Sequence, residues 1–191
     1  MIEVELKAKL EKDEILNFIR KLEDLGFKRI IKKEETDIYY NGIDRDFRKT
    51  DEALRIRKSV NMDGIDNMDI KYVRYYLTYK GPKMDNISKT REELEVQVSD
   101  GETTKKILEK LGFKPVKPIV KIREIYKRDD IEISIDEVKD VGNYVEFEKI
   151  VEFTSEKENA INELINLMKS LNISKDKLIK TSYLELRDKN E

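Results

Sequence analysis

Charged side chains recur at every second position in segment after segment of this chain. In IEVELKAK near the amino terminus, Glu3, Glu5 and Lys7 alternate with Ile2, Val4 and Leu6. Period two sends the charged set to one face of a strand and the apolar set to the other. The pattern returns where Arg55 and Arg57 alternate with Leu54 and Ile56. It returns again with Arg91, Glu93 and Glu95 alternating with Leu94, Val96 and Val98, and with Lys121 and Arg123 beside Val120 and Ile122. Glu146 and Glu148 flank Phe147, and Asp136 follows the run Ile131, Ile133, Ile135.

A single charged strand face is ordinarily a solvated one, and an open antiparallel sheet with one wet face accounts for each strand taken singly. It does not account for the sorting. Acids concentrate on some strands and Arg or Lys on others, whereas a surface tuned for solubility intersperses the two signs. A closed barrel, with apolar residues outward under helices and charged residues inward, makes sense of that sorting. Enclosed charges cost on the order of several kcal/mol each unless paired or coordinated. Acids in such a lumen would therefore hold divalent cations, while Arg and Lys held an anion. Carboxylates without His or Cys select hard ions such as Mg²⁺ or Mn²⁺. Arg offers forked donors to phosphate oxygens and Lys a point charge, so a chain of phosphates with a metal ion is the natural occupant.

The elements that must position these residues follow from the same periodicities. Segments 2–10, 26–40, 52–60, 71–80, 89–98, 115–128, 130–138 and 143–153 read as strands, from alternation and from their Ile, Val, Tyr and Phe content. Helices are predicted over 12–25, 102–111 and 155–171; the first carries Ile15, Phe18, Ile19, Leu22 and Leu25 on one stripe. LEDLGFK at 22–28 recurs as LEKLGFK at 108–114, with Gly26 and Gly112 where a left-handed helix end is expected. Common helix-end chemistry and an internal duplication both produce such a repeat. The stretch 61–69 reads as a solvated hairpin turn, because Asp63, Asp66 and Asp69 do not have the spacing of a calcium loop.

Composition narrows the chemistry further. With 191 residues the chain is expected to form one domain over 1–191 around one core. Its 39 basic and 41 acidic residues leave a net charge of −2, so no global field recruits a nucleic acid polymer or an anionic membrane. No apolar run reaches membrane-spanning length, and the reading is of a soluble, cytoplasmic protein. The absence of Cys removes thiolate metal sites and a cysteine nucleophile, and the absence of His removes the commonest general base and the usual zinc ligand. Catalysis would use carboxylates, Lys, Tyr, Arg or a hard metal.

Taken in order, EVELK, EALRIRK, LTYKGP, TREELEV, VKIREIY, SIDEV and VEFEK resemble the motifs of the CYTH superfamily, the triphosphate tunnel metalloenzymes, across almost the whole chain. The resemblance implies an α+β fold: an eight-stranded antiparallel β-barrel forming a tunnel, with helices packed on its outside. It implies activity on a small-molecule triphosphate, ATP or inorganic triphosphate, with Mg²⁺ or Mn²⁺. By position, Glu3, Glu5, Asp136, Glu146 and Glu148 resemble the metal-handling carboxylates. Lys7, Arg55, Arg57, Lys80, Arg91, Lys121 and Arg123 resemble the phosphate-binding set, with Lys7, Arg57 and Lys80 expected at the chemistry; Glu93 and Glu95 orient neighbouring bases or contact a nucleoside.

Length and segments such as GFKPVKPIVKIREIY look most like the class IV adenylate cyclase subgroup, which converts ATP to cyclic AMP and pyrophosphate. The His-Phe pair that bacterial members carry upstream of the first glutamate is not present here. A triphosphatase is the alternative; the thiamine-specific version resembles a site with a stacking Trp, which this chain lacks. Tyr39, Tyr40, Tyr76 or Tyr79 would have to stack on a base instead. A non-catalytic nucleotide or polyphosphate sensor is the third reading, and a homodimer is compatible with all three.

Overall fold

Cross-strand pairing closes the sheet on itself. In the computed structural model, which describes residues 2–63, 72–84 and 88–190, nine strands form: β1 (Ile2–Lys9), β2 (Lys28–Asn41), β3 (Ala53–Asn61), β4 (Val73–Lys80), β5 (Arg91–Val98), β6 (Lys114–Pro115), β7 (Ile119–Arg128), β8 (Ile131–Val138) and β9 (Gly142–Val151). The order β3-β4-β5-β1-β9-β8-β7-β2 returns to β3 through a β2–β3 pairing, so eight strands make a closed antiparallel barrel and the short β6 extends the end of β2. The fold is α+β, as expected. The seam is narrowest between β1 and β5, where only Ile2↔Glu92 and Glu3↔Arg91 pair.

Closure decides which face is which. Val4, Leu6 and Ala8 of β1, Ile133 of β8 and Val145 and Phe147 of β9 point outward and are fully covered. Their cover is α1 (Ile15–Asp24), through Phe18 and Leu22, and α4 (Lys157–Ser170), through Ile161, Leu164 and Met168. A smaller cluster of Tyr40, Ile56 and Leu108 seats α3 (Gly101–Lys110) on β2 and β3. Removing this apolar area from water at roughly 25 cal/mol per Å² is what keeps the charged alternates pointing inward.

The repeated heptapeptide has a structural cause. Gly26 and Gly112 both adopt positive φ, +83° and +99°, just past α1 and α3. In each copy the Gly and the following Phe donate back into the last turn, Phe27 to Leu22 and Phe113 to Leu108, both at 3.0 Å.

Several elements differ from the sequence reading. The first helix opens with a 3-10 turn at Lys12–Glu14. The strand expected over 115–128 is interrupted before 119, since Pro115 and Pro118 have no N–H to give a ladder. A four-residue helix α2 (Phe47–Thr50), capped by the Asp46 carboxylate accepting from Arg48 N at 3.1 Å, and the carboxy-terminal α5 (Tyr183–Asn190) were not anticipated. Most of the 61–69 turn, with Asp66 and Asp69, lies outside the described residues; Asp63 is described and accepts from Arg29 Nη2 at 2.6 Å. No helix among the described residues is long and apolar enough to cross a membrane.

Candidate active site in the barrel tunnel

The inward alternates meet in a cavity of about 240 Å³ along the barrel axis. Glu3, Glu5, Glu146 and Glu148 line it, as do Arg55, Arg57, Lys80, Arg91, Lys121 and Arg123. Ten of the twelve residues singled out from sequence are thus brought together. Lys7 and Asp136 do not line the cavity.

The two signs occupy different walls. On the base-rich side, β2 lies between β3 and β7, and its register sets Asp37 opposite Arg57 and Glu35 opposite Lys121. Arg57 forks onto Asp37, Nε to Oδ1 at 2.7 Å and Nη2 to Oδ2 at 2.8 Å. Burial pushes the Asp37 carboxyl up, yet Arg57 and Arg55 prevail and pull it down to about 2. Arg123 forks onto Asp136, with Nε 2.6 Å from Oδ1, and its Nη2 also pairs with Glu146. Burial opposes ionisation of Glu146, but Arg123, Lys89 and Lys121 hold it well below the carboxylate range. Asp136 additionally accepts from the Tyr183 hydroxyl at 2.8 Å and lies behind the lining.

The acid-rich side, built by β1 and β9, is less well compensated. Glu3 meets Lys80 at 2.9 Å, and Lys80 is shared with Glu93 at 2.6 Å. Glu5 meets Lys89 at 2.6 Å. Burial raises both carboxyls, with Glu93 adding to the effect on Glu3 and Glu146 to that on Glu5, against the pull of the lysines. Glu148 stands directly opposite Glu5 on one side and Glu132 on the other. Its carboxylate has no hydrogen bond or ion pair among the described residues, and enclosure together with Glu3 and Glu132 raises it well above the usual range. Among those residues no three carboxylates already converge as a ready-made ligand cluster.

The carboxy-terminal segment packs against β1 and reaches the cavity, which Ser182 and Tyr183 border. Ile179 N donates to Lys7 O at 2.7 Å, and Leu178 bridges Ala8. The Lys7 amine donates to Thr181 O at 2.5 Å and lies 4.1 Å from the centre of the Tyr183 ring, which itself borders the cavity. Burial and the neighbouring Lys89 lower Lys7 to about 7. Arg187 ties α5 to the barrel by donating to the carbonyls of Lys117 and Pro118.

A second cleft of about 380 Å³ adjoins the tunnel, sharing Tyr39, Ala53, Arg91 and Ser182 with it and adding Phe47, Val116 and Leu184. Of the four tyrosines proposed for stacking, Tyr39 borders both cavities and Tyr40 only the cleft. The Tyr79 hydroxyl is engaged by Glu52 at 2.6 Å.

Sequence reasoning missed Lys33, Glu35, Asp37, Lys89, Glu132 and Tyr183. The first three do alternate, but Lys32, Glu34 and Thr36 between them are polar as well, so the strand has no apolar face to betray its inward one. Lys89 sits in a connection without periodicity, and Tyr183 opens a helix whose other residues are mostly polar.

The chain matches the CYTH domain model over residues 1–183. It is 53% identical over 187 residues to a Methanocaldococcus jannaschii protein named "Putative adenylate cyclase MJ0240", covering 98% of this chain and 99% of that one. The structure of PH1819 from Pyrococcus horikoshii superposes with a TM-score of 0.87 at 38% identity, covering 99% of each chain. HpAC1 from Hippeastrum, a "putative adenylyl cyclase" described as having a dominant triphosphatase activity, has the same fold at 16% identity, with a TM-score of 0.63 and coverage of 100% of this chain and 96% of that one. On the length of the family match, and on a relative sharing more than half its residues, the chain belongs to the CYTH domain family.

Proposed function

We propose that this protein is a divalent-metal-dependent enzyme that holds the triphosphate of ATP in its tunnel and converts ATP to cyclic AMP and pyrophosphate. CYTH triphosphate tunnel metalloenzymes use divalent metals and act on small-molecule triphosphates. The observation that carries the reading is the sorted tunnel: Arg55, Arg57, Lys121 and Arg123 on one side, and under-compensated Glu3, Glu5 and Glu148 on the other.

The donor set fits the metal. Glu148 lacks a partner, and Glu3 and Glu5 are raised despite their lysines, so a hard cation would relieve the like-charge burden there. Glu3, Glu5 and Glu148 would hold Mg²⁺ or Mn²⁺; Asp136 and Glu146 instead anchor Arg123. The bound ion supplies charge neutralisation and polarisation at phosphate oxygens.

In the cyclase reaction the ribose 3′-oxygen bonds to the α-phosphorus and releases its proton to solvent. The bond from the α-phosphorus to the oxygen it shares with the β-phosphate breaks, and pyrophosphate leaves. Arg57, Lys121 and Arg123 would receive the charge that develops on the departing phosphates, already held by Asp37, Asp136 and Glu146 so that little reorganisation is needed. The cleft beside Tyr39, where Phe47, Val116 and Leu184 sit among charged residues such as Arg48, Glu52 and Lys114, gives a nucleoside somewhere to sit, which inorganic triphosphate would not require.

Hydrolysis of the terminal phosphate is the second reading. It is favoured by the complete lack of His, which departs from the His-Phe pair of the bacterial cyclases. Incubation with ATP and, separately, inorganic triphosphate, each with Mg²⁺ or Mn²⁺, followed by chromatography, decides between them. Cyclic AMP with pyrophosphate supports the cyclase; orthophosphate replaces it with the triphosphatase; tight binding without product turns the protein into a sensor.

A further inference from the structure

Glu35 is a carboxylate without an assigned task, placed at the focus of four cations. It is fully buried, behind the residues that line the tunnel. Lys33 Nζ lies 2.8 Å from its Oε1; Arg57 Nη1, Lys121 Nζ and Arg123 Nε lie 3.2, 3.4 and 4.0 Å from its Oε2. All four cations belong to the base-rich wall, and β2 brings Glu35 between β3 and β7 to meet them. Burial disfavours its charge, but Arg57, Lys121, Arg123 and Lys33 hold it ionised.

The quality of these contacts differs from that at Asp37. Asp37 takes two directed hydrogen bonds from Arg57, using Nε and Nη2. Neither oxygen of Glu35 has a partner in hydrogen-bond geometry among the described residues. Glu35 is therefore retained by charge alone, and Arg57 meets it with Nη1, the one nitrogen that the fork on Asp37 leaves over. A guanidinium fixed by one carboxylate and only attracted by another can exchange the second for a stronger acceptor without losing its orientation.

We propose that Glu35 is a resident counter-anion that neutralises the phosphate-binding wall in the ligand-free protein and yields Arg57 and Lys121 to entering phosphate oxygens, so that its charge sets how tightly the tunnel holds a polyphosphate. Asp37 is the positioning residue, and Glu35 the competitor. Any ligand must out-compete Glu35, which favours chains of several phosphates over a single phosphate or carboxylate. This rests on the reading of the tunnel as a triphosphate site.

The sign of one substitution separates this role from a structural one. Glu35→Gln keeps the shape and removes the competing charge, so inorganic triphosphate should bind roughly tenfold more tightly, the order expected for loss of one partly compensated like charge. A residue that merely braces the wall would weaken binding when changed. Isothermal titration of wild type and variant in EDTA, and again with Mg²⁺, reads the difference, with circular dichroism confirming the fold. Equal or weaker binding by a folded variant overturns the proposal. Failure of the wild type to bind either inorganic triphosphate or ATP overturns the tunnel reading itself. Should the variant not fold, a structure of the wild type with inorganic triphosphate decides. Arg57 Nη1 and Lys121 Nζ on phosphate oxygens, with the Asp37 fork intact, support the role; retention of all four Glu35 contacts overturns it.

Discussion

Glu148→Gln should stabilise the protein in the absence of divalent ions, although it removes a residue assigned to the site. Glu148 faces Glu5 across the β1–β9 ladder and Glu132 across the β8–β9 ladder, and no cation pairs with it among the described residues. Directly opposed like charges cost about 0.2–1 kcal/mol per pair, so two such pairs put the penalty near 1 kcal/mol. In a chain of this length that corresponds to a thermal midpoint about 2–4 °C higher for the variant. The pH dependence follows from the raised carboxyl. When the folded state binds its proton more tightly than the unfolded state, stability is greatest below the unfolded value, 4.5, and falls as pH climbs through the folded one. The advantage of the variant should therefore be small at pH 5 and larger at pH 9. Mg²⁺ should narrow it by stabilising the wild type more, because only the wild type keeps the full carboxylate set. Thermal scans in EDTA and in Mg²⁺ at the two pH values test all of this. A lower midpoint for the variant in EDTA at high pH, or an offset independent of pH, would refute the account of Glu148 as an uncompensated charge.

Glu5→Gln is expected to abolish metal-dependent product formation while leaving the circular dichroism spectrum unchanged; wild-type turnover would remove Glu5 from the metal set. Arg57→Ala should weaken triphosphate binding at least about tenfold in a titration, as loss of a charge-assisted fork implies, and equal affinity would show that Arg57 does not touch the phosphates. Arg123→Met strands Asp136 and Glu146 without their main partner. Removing one member of a buried pair costs about 3–5 kcal/mol, or about 6–20 °C at the midpoint, and a drop under about 2 °C would show that the fork does not brace the barrel.

The inward face of the barrel was legible wherever apolar residues marked the outward one. On β1, β3, β7 and β9 the contrast of Glu or Arg with Val, Ile and Phe identified the strand, its face and the charged set together. On β2 it could not, because KKEETD is polar at both parities, and only closure shows that Lys33, Glu35 and Asp37 point inward between Arg57 and Arg123. Period two also reports face but not depth. Lys7 shares a face with Glu5 yet stands two residues farther along, roughly 7 Å, where it lies against the Tyr183 ring. The docking of α5 was illegible for a different reason: it depends on the Tyr183 hydroxyl at Asp136 and on Arg187 at two backbone carbonyls, contacts without any period.

What closure adds to alternation is compensation. Most of the bases read from the sequence as free phosphate ligands turn out to have a protein carboxylate in reach: Asp37 for Arg57, Asp136 for Arg123, Glu3 for Lys80; Lys7 instead meets the Thr181 carbonyl and the Tyr183 ring. Their availability to a ligand then depends on how firmly each acid holds its base, a property of geometry across strands that no single segment contains. Directed forks at Asp37 and Asp136 make fixed donors; the undirected contacts at Glu35 make exchangeable ones. The excess on the other wall, at Glu148, is the complement of the same arrangement. A tunnel whose bases are partly neutralised from within, and whose acids are only partly so, with Glu148 left over, would admit polyphosphate and cation together more readily than either alone, since each relieves the charge that the other leaves exposed.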